Sequence, residues 1–251
     1  MFDRMKDLLA PPIRNHRIFF FHIAKCGGTS ISNAIVKCYK PWRARDLNSI
    51  VILNEEAARF AERNTVETTH YPLVRRDLLN YMMSLPNVRC ISGHFQYSNS
   101  AHDAYQDEWH FVTVLRDPVA RWLSHYRYNA LQKKIEMPIE EFIETKQAKS
   151  FGRAFVDEIT EDLKKSSIDS EELIKIALGR YKRFSILGRL DDLPDFARKF
   201  EEKFQHKLDI KYLNRTPEGR KDARLSDSVM SRIAELCAPD ISLYTQLFRA
   251  D

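Results

Sequence analysis

Glycine is scarce in this chain, with seven in 251 residues, and cysteine is scarcer still. The four cysteines, Cys26, Cys38, Cys90 and Cys237, stand far apart with no CxxC pair. That spacing excludes a disulfide framework or a zinc knuckle and fits a reducing compartment. Eight histidines supply no HExxH and no other tight metal spacing. No segment approaches the ~18 apolar residues of a membrane span. The N-terminal "MFDRMKDLLAPPIRNHR" is interrupted throughout by charges and prolines, so it reads as neither a signal peptide nor an anchor. Long Lys/Arg runs, internal repeats and low-complexity tracts are missing as well. The expectation is a cytoplasmic protein with no integral membrane segment and no nucleic-acid partner, the inner membrane surface being an alternative station.

What is present is an ordinary globular composition, 43% hydrophobic and 30% charged, with a formal net charge of +5 that suits an anionic ligand. "RIFFFHI" (17–23) is an almost wholly apolar run, as expected of a strand covered on both faces. "TSISNAIVKCY" follows with Ile31, Ala34, Ile35 and Cys38 at helical spacing, and Thr29 or Ser30 is the expected N-cap. A helix is expected over 71–85, a strand and exit loop over 87–95, a strand over 109–116 and a helix over 119–131. Residues 132–183 read as mainly helical and charged. A fourth short strand over 184–188 and three further helices complete the chain. Strands alternating with helices predict an α/β fold around a mostly parallel sheet. No linker divides the chain, so one domain over 1–251 is expected, with 1–16 as an N-terminal extension.

Two of the few glycines stand side by side in "FFFHIAKCGGTSISNAI" (19–35), between the first strand and its helix. Consecutive glycines let backbone N–H groups converge on an anion, and the helix N-terminus adds partial positive charge. Lys25 precedes the pair, and Thr29 and Ser30 follow it with hydroxyl donors. This is not the Walker A order, which puts Lys after the glycines, and GxGxxG is also absent. Taken alone, the loop reads more readily as a tight turn than as an anion site. In "VTVLRDPVARWLSHYRY" (112–128), Arg116 falls at a strand's carboxyl end, where open α/β sheets collect their ligands. Ser124 lies about two helical turns further on. By themselves, Arg116 and Asp117 read as well as a local ion pair.

Together the two segments resemble the sulfotransferases that use 3′-phosphoadenosine 5′-phosphosulfate (PAPS). "FFFHIAKCGGTSI" resembles their 5′-phosphosulfate loop and "VTVLRDPVARWLSHYRY" their 3′-phosphate segment. The likeness is nearest to the carbohydrate branch, the heparan sulfate 2-O- and uronyl 2-O-sulfotransferase-like group with its bacterial relatives. "ISGHF" (91–95) matches the group's Gly-His, and "FSILGRLDDLPDF" its strand and acidic turn. "YLNRTP" (212–217) falls where the group closes a loop over the nucleotide, and "PDISLYTQL" (239–247) is similar to its C-terminal Asp-x-x-Leu-Tyr helix. Ala24 and Cys26 depart from the usual Pro and Thr. Residues 40–86 and 132–183 match little.

The resemblance implies a P-loop-like three-layer sandwich, PAPS as co-substrate, no metal, and a hydroxyl acceptor on a glycan or glycolipid. It implies that Lys25, Cys26, Gly27, Gly28, Thr29 and Ser30 hold the phosphosulfate, and Arg116 and Ser124 the 3′-phosphate. Arg215, with Thr216 or Lys221, would close over the nucleotide. Lys25 would stabilise the leaving oxygen. His94 is the candidate general base by its place after a strand and Gly93, since histidine ionises near working pH. His70 is the second candidate, His22 is expected to pack or orient the loop, and His125 to pack. Two competing readings are a P-loop-type nucleotide kinase and a non-catalytic nucleotide- or glycan-binding relative.

Overall fold

The computed structural model describes residues 13, 15–39, 49–64, 71–163, 166–211 and 225–249. Its centre is a five-stranded sheet in the order β2-β3-β1-β4-β5. The strands are β1 (Arg17–Phe21), β2 (Ile50–Ile52), β3 (Cys90–Gly93), β4 (Trp109–Leu115) and β5 (Ile186–Arg189). Every pairing is parallel. The edge strand β2 is the one that the sequence pattern does not anticipate.

The "RIFFF" run of β1 is buried throughout because its alternate residues enter two different cores. Phe19 and Phe21 face one side of the sheet, Ile18 and Phe20 the other. On the Ile18 side lie α1 (Gly28–Tyr39), through Ile31, Ala34 and Ile35, and a later helix over Leu193–Phe204, through Phe196, Phe200 and Phe204. A Phe fully withdrawn from water stabilises the fold by roughly 1.5–3 kcal/mol, so this row of three is a principal clamp.

The opposite side is covered by Leu79 and Met83 from a helix over Tyr71–Ser84, and by Ala177 and Tyr181 from one over Ser170–Lys182. The result is three layers, helix on sheet on helix. A third core gathers Trp122, Phe142, Phe151 and Ile233 away from the sheet. Ile13, inside the expected N-terminal extension, is 4% exposed and joins the Ile18-side core, so the packed structure begins before residue 17.

The remaining helices are numbered in chain order: α2 (Glu55–Asn64), α3 (Tyr71–Ser84), α4 (Asn99–Tyr105), α5 (Pro118–Leu131), α6 (Ile139–Phe142), α7 (Lys146–Phe151), α8 (Ala154–Ile159), α9 (Ser170–Lys182), α10 (Leu193–Phe204), α11 (Asp227–Leu236) and α12 (Ala238–Phe248). Pro118 opens α5 where its missing N–H costs nothing, and the Asp117 carboxylate accepts from the Ala120 N–H. Asp117 is therefore a helix cap, and no Arg116–Asp117 ion pair forms among the described residues.

The sheet order fixes where a ligand can enter. The chain leaves β1 toward β2 on one side and leaves β4 toward β5 on the other. Adjacent strands whose connections part in this way open a crevice beyond their carboxyl ends. That crevice lies between the loop after β1 and the end of β4.

Candidate functional site

The loop over residues 22–27 is built from unusual backbone. Lys25 has φ +69° and Gly27 φ +71°, both left-handed. Gly27 tolerates this freely, whereas Lys25 meets a steric cost that the surrounding turn must hold. The first turn of α1 bonds back to the Gly27 carbonyl, from Ser30 N–H at 3.1 Å and Ile31 N–H at 3.4 Å. Gly27 is therefore the N-cap, and Thr29 and Ser30, the expected caps, lie inside the first turn. The glycine backbone achieves what a side-chain oxygen would otherwise do.

The N–H groups of Gly27, Gly28 and Thr29 have no backbone acceptor among the described residues. They form a concave set of donors at a helix N-terminus, the arrangement that accepts an anion. Gly28 is required by packing, because a Cβ there would fall inside the His22 imidazole. His22 thus lies against the loop backbone. Cys26 is the loop position turned away from the crevice. It is 1% exposed within the core, and its N–H closes a turn on the Ile23 carbonyl. Burial lifts its thiol to about 12.

Across the crevice, Arg116 leaves the end of β4 half-buried, its Nη1 3.5 Å from the Lys25 carbonyl oxygen. Burial lowers both the Arg116 guanidinium and the Lys25 ammonium, and the two repel each other. Two cationic side chains that repel each other favour a ligand that brings negative charge. The Lys25 Nζ lies 4.0 Å from the centre of the Tyr128 ring on α5. Ser124 is half-buried on the second turn of α5, and among the described residues no hydrogen bond joins it to Arg116.

His94 follows β3 on the other flank of the loop. Its imidazole stacks on His22 with ring centres 4.0 Å apart. Gly93 precedes it at φ +135°, where a Cβ would stand 2.6 Å from the Leu53 Cβ, so only glycine lets the chain turn His94 inward. Burial lowers His94 below the ordinary histidine value, with Arg75 and Arg59 acting the same way and Glu55 opposing. The Arg75 Nη1 donates to the His94 carbonyl at 2.9 Å and lies 3.4 Å from Glu55. Burial drives His22 to about 3, with smaller contributions from His94 and Lys25. Burial thus disfavours the charged form of both rings, and the uncharged imidazole is the form that accepts a proton.

The sequence profile described as the sulfotransferase family matches residues 13–249. The chain belongs to the sulfotransferase family. No curated relative matches it.

In this sulfotransferase the structure brings Lys25, the Gly27-Gly28-Thr29 amides, Arg116 and His94 to the same edge of the sheet. Arg215, Thr216, Lys221 and the second candidate base, His70, lie outside the described residues. Among the described residues, no cluster of His, Cys, Asp or Glu could hold a metal ion, and no helix is long and apolar enough to cross a membrane.

Three contributors escape a reading of the sequence. Tyr128 meets Lys25 from a distant helix, at a separation that no local periodicity reports. His125 reaches the same edge. It stacks on Phe151 at 4.0 Å, its buried Nδ1 is unpartnered, and burial together with Arg121 and Lys25 takes it to about 4. Asp240, the acid of the "PDISLY" motif, is wholly buried and accepts from the Phe155 and Val156 N–H groups at 3.0 and 3.1 Å. It caps α8 from α12, and burial raises it to about 7. The motif marks the residue; only tertiary contact gives the role.

Proposed function

We propose that this sulfotransferase, acting as one domain, moves a sulfuryl group from PAPS to a hydroxyl of a carbohydrate or glycolipid. The observation that carries the reading is the convergence of unpaired loop amides, two neighbouring cationic side chains and the His94 imidazole at the carboxyl ends of adjoining strands. The donor fits this edge chemically. Gly27, Gly28 and Thr29 offer N–H groups to the 5′-phosphosulfate, and the two glycines let Leu190 and His22 pack against the loop. Ser30 stands in the same first turn, and Arg116 with Ser124 suits the 3′-phosphate. Bound PAPS supplies an activated sulfuryl group and a bisphosphate leaving group.

The remaining work falls to this chain's side chains. His94 accepts the proton of the acceptor hydroxyl as its oxygen bonds to sulfur. Lys25 meets the negative charge that develops on the bridging oxygen as the sulfur–oxygen bond breaks. The loop amides screen the equatorial oxygens and hold the line of displacement, as in phosphoryl transfer. The resemblance to the heparan sulfate 2-O-/uronyl 2-O-sulfotransferase-like group and its bacterial relatives supports a glycan or glycolipid acceptor.

The test is release of adenosine 3′,5′-bisphosphate from labelled PAPS, with and without candidate glycans, in EDTA. Acceptor-dependent release with label on the glycan is the expected result. Transfer from ATP that requires magnesium would replace this reading by a nucleotide kinase. Nucleotide binding without any transfer would leave a non-catalytic relative.

A further inference from the structure

We propose that Tyr128 is the positioning residue for Lys25: its ring holds the ammonium in the donor-free protein and yields it to the donor's bridging oxygen. The inference deepens the sulfuryl-transfer reading and rests on it.

The Lys25 backbone is fixed, left-handed at φ +69°, with its carbonyl facing the Arg116 guanidinium. Its side chain is held differently. Among the described residues no oxygen accepts from Nζ, and the only partner is the Tyr128 ring, 4.0 Å away. Arg116 repels the ammonium from one side while the ring attracts it from the other. A half-buried cation left with three free donors is held loosely by its surroundings. Lys134 lies over the same ring at 5.8 Å, so a second cation competes for it.

The ring itself stands on a firm base. It projects from the last turn of α5, whose Trp122 is fully buried and donates from Nε1 to the Ala148 carbonyl at 2.9 Å. Tyr128 is 45% exposed, and no hydrogen bond involves its hydroxyl among the described residues. Packing therefore does not account for an aromatic residue at this position, whereas the ammonium does.

The strengths are ordered as a transfer requires. A cation–π contact at an exposed site shifts an equilibrium by about two- to fivefold, and a charge-assisted hydrogen bond by about ten- to a hundredfold. Lys25 consequently rests on the ring when alone and leaves it for an anionic oxygen.

The experiment uses the full chain with its lysine ε-carbons labelled, Lys25→Arg identifying the Lys25 signal by its loss. The ring current of Tyr128 should move the Lys25 ε-methylene resonance upfield of other lysines in the wild type and in Tyr128→Phe. The shift should vanish in Tyr128→Leu, and in the wild type on saturation with PAPS. Calorimetry should show Tyr128→Leu binding PAPS about two- to fivefold more tightly, since the resting contact no longer competes. Leu131→Ala, an exposed neighbour on α5, should bind PAPS like the wild type. An unshifted Lys25 signal in the free protein, a shift that persists with PAPS bound, or unchanged or weakened affinity in Tyr128→Leu would each overturn the inference. Failure of the wild type to bind PAPS at all would overturn the sulfuryl-transfer reading and this inference with it.

Discussion

Arg17 and Arg116 stand at opposite ends of neighbouring strands, and the fold treats them in opposite ways. Arg17, at the amino end of β1, donates to the Val88, Met83 and Leu85 carbonyls and to the Glu108 carboxylate, all within 2.7–3.0 Å. Its guanidinium also lies 4.3 Å from the centre of the Trp109 ring. Arg116, at the carboxyl end of β4, has one long contact at 3.5 Å to the Lys25 carbonyl. A buried guanidinium that is fully bonded anchors structure, and one left short of acceptors waits for an anion.

The histidines repeat the contrast. At the amino end, His110 Nδ1 lies 3.3 Å from the Ser185 hydroxyl and Nε2 lies 3.4 Å from His16. His102 bonds the Tyr97 hydroxyl at 2.9 Å and stacks on Phe111. A cavity of about 500 Å³ opens beside β5 and α10, but its Lys199 is already bound to Asp195 at 2.8 Å. At the carboxyl end, the His125 Nδ1 is buried without a partner, and His94 and His22 are stacked on each other. Concavity is thus found at the amino end, whereas unsatisfied donors and acceptors gather at the carboxyl end, where the sulfuryl-transfer site is proposed.

The largest effect should come from the base. His94→Ala is expected to reduce single-turnover transfer by roughly 10² to 10⁴, with bisphosphate affinity nearly unchanged. His110→Ala, at the satisfied end, should transfer at close to the wild-type rate after correction for folded protein. If His94→Ala keeps its rate while His70→Ala is inactive, the base has been misassigned.

Next in size is an exchange of phenotypes between the two arginines. Arg116→Ala should weaken adenosine 3′,5′-bisphosphate by roughly 1.5–3 kcal/mol, with a smaller loss for AMP and little change in urea stability. Arg17→Ala leaves three carbonyls and a carboxylate without their donor. It should lower unfolding free energy by about 3 kcal/mol while the folded fraction binds nucleotide normally. Equal losses for both nucleotides in Arg116→Ala would remove the 3′-phosphate assignment.

A smaller effect is read by varying pH. His94 must be neutral to accept a proton, and burial holds its pKa below 6.5. Transfer should therefore rise with pH along a limb centred below 6.5 and be flat from there to about 7.5. His102 and His110 fall to about 4, chiefly through burial. Between pH 6.5 and 4 the unfolded chain binds more protons than the folded one, so their contribution to stability is present above 6.5 and is lost as pH falls toward 4. A rate limb centred above about pH 7, or a melting temperature that climbs on acidification over this range, would contradict the assignments.

The layers of this fold are legible because β1 and β4 are runs of large apolar residues that only a strand buried on both faces explains. The carboxyl-edge location of Lys25, Gly27, Gly28 and Arg116 follows from the strand–loop–helix order. β2 escapes because three residues at a sheet edge, none of them fully buried, carry too little pattern to stand out. Local reading misplaces the N-cap because Thr and Ser are the usual capping signals, and a left-handed glycine leaves no such mark. Glu55, Arg75 and Tyr128 are beyond its reach for a different reason. Their meetings with His94 and Lys25 are tertiary, and nothing in their local sequence sets them apart from a solvated helix face.

The smallest expected effect is none at all, and it tests whether the carboxyl edge holds a nucleophilic side chain. Cys26 sits beside Lys25 in sequence, which would ordinarily favour a reactive thiolate. The structure reverses that expectation, because the Lys25 side chain leans toward Tyr128 while the Cys26 thiol enters the core near the Ala24 carbonyl. Burial raises Cys26 to about 12, and Cys38 and Cys237 to about 12 as well, while Cys90 is raised further still. All four thiols are buried. Iodoacetamide at about pH 8, near the ordinary thiol pKa, should leave the folded protein unmodified and fully active, with alkylation of the four thiols appearing only in denaturant. Rapid stoichiometric alkylation of Cys26 with loss of transfer would show that its thiol faces the crevice. The division between a satisfied amino end and an open carboxyl end would then have to be redrawn around a nucleophilic loop.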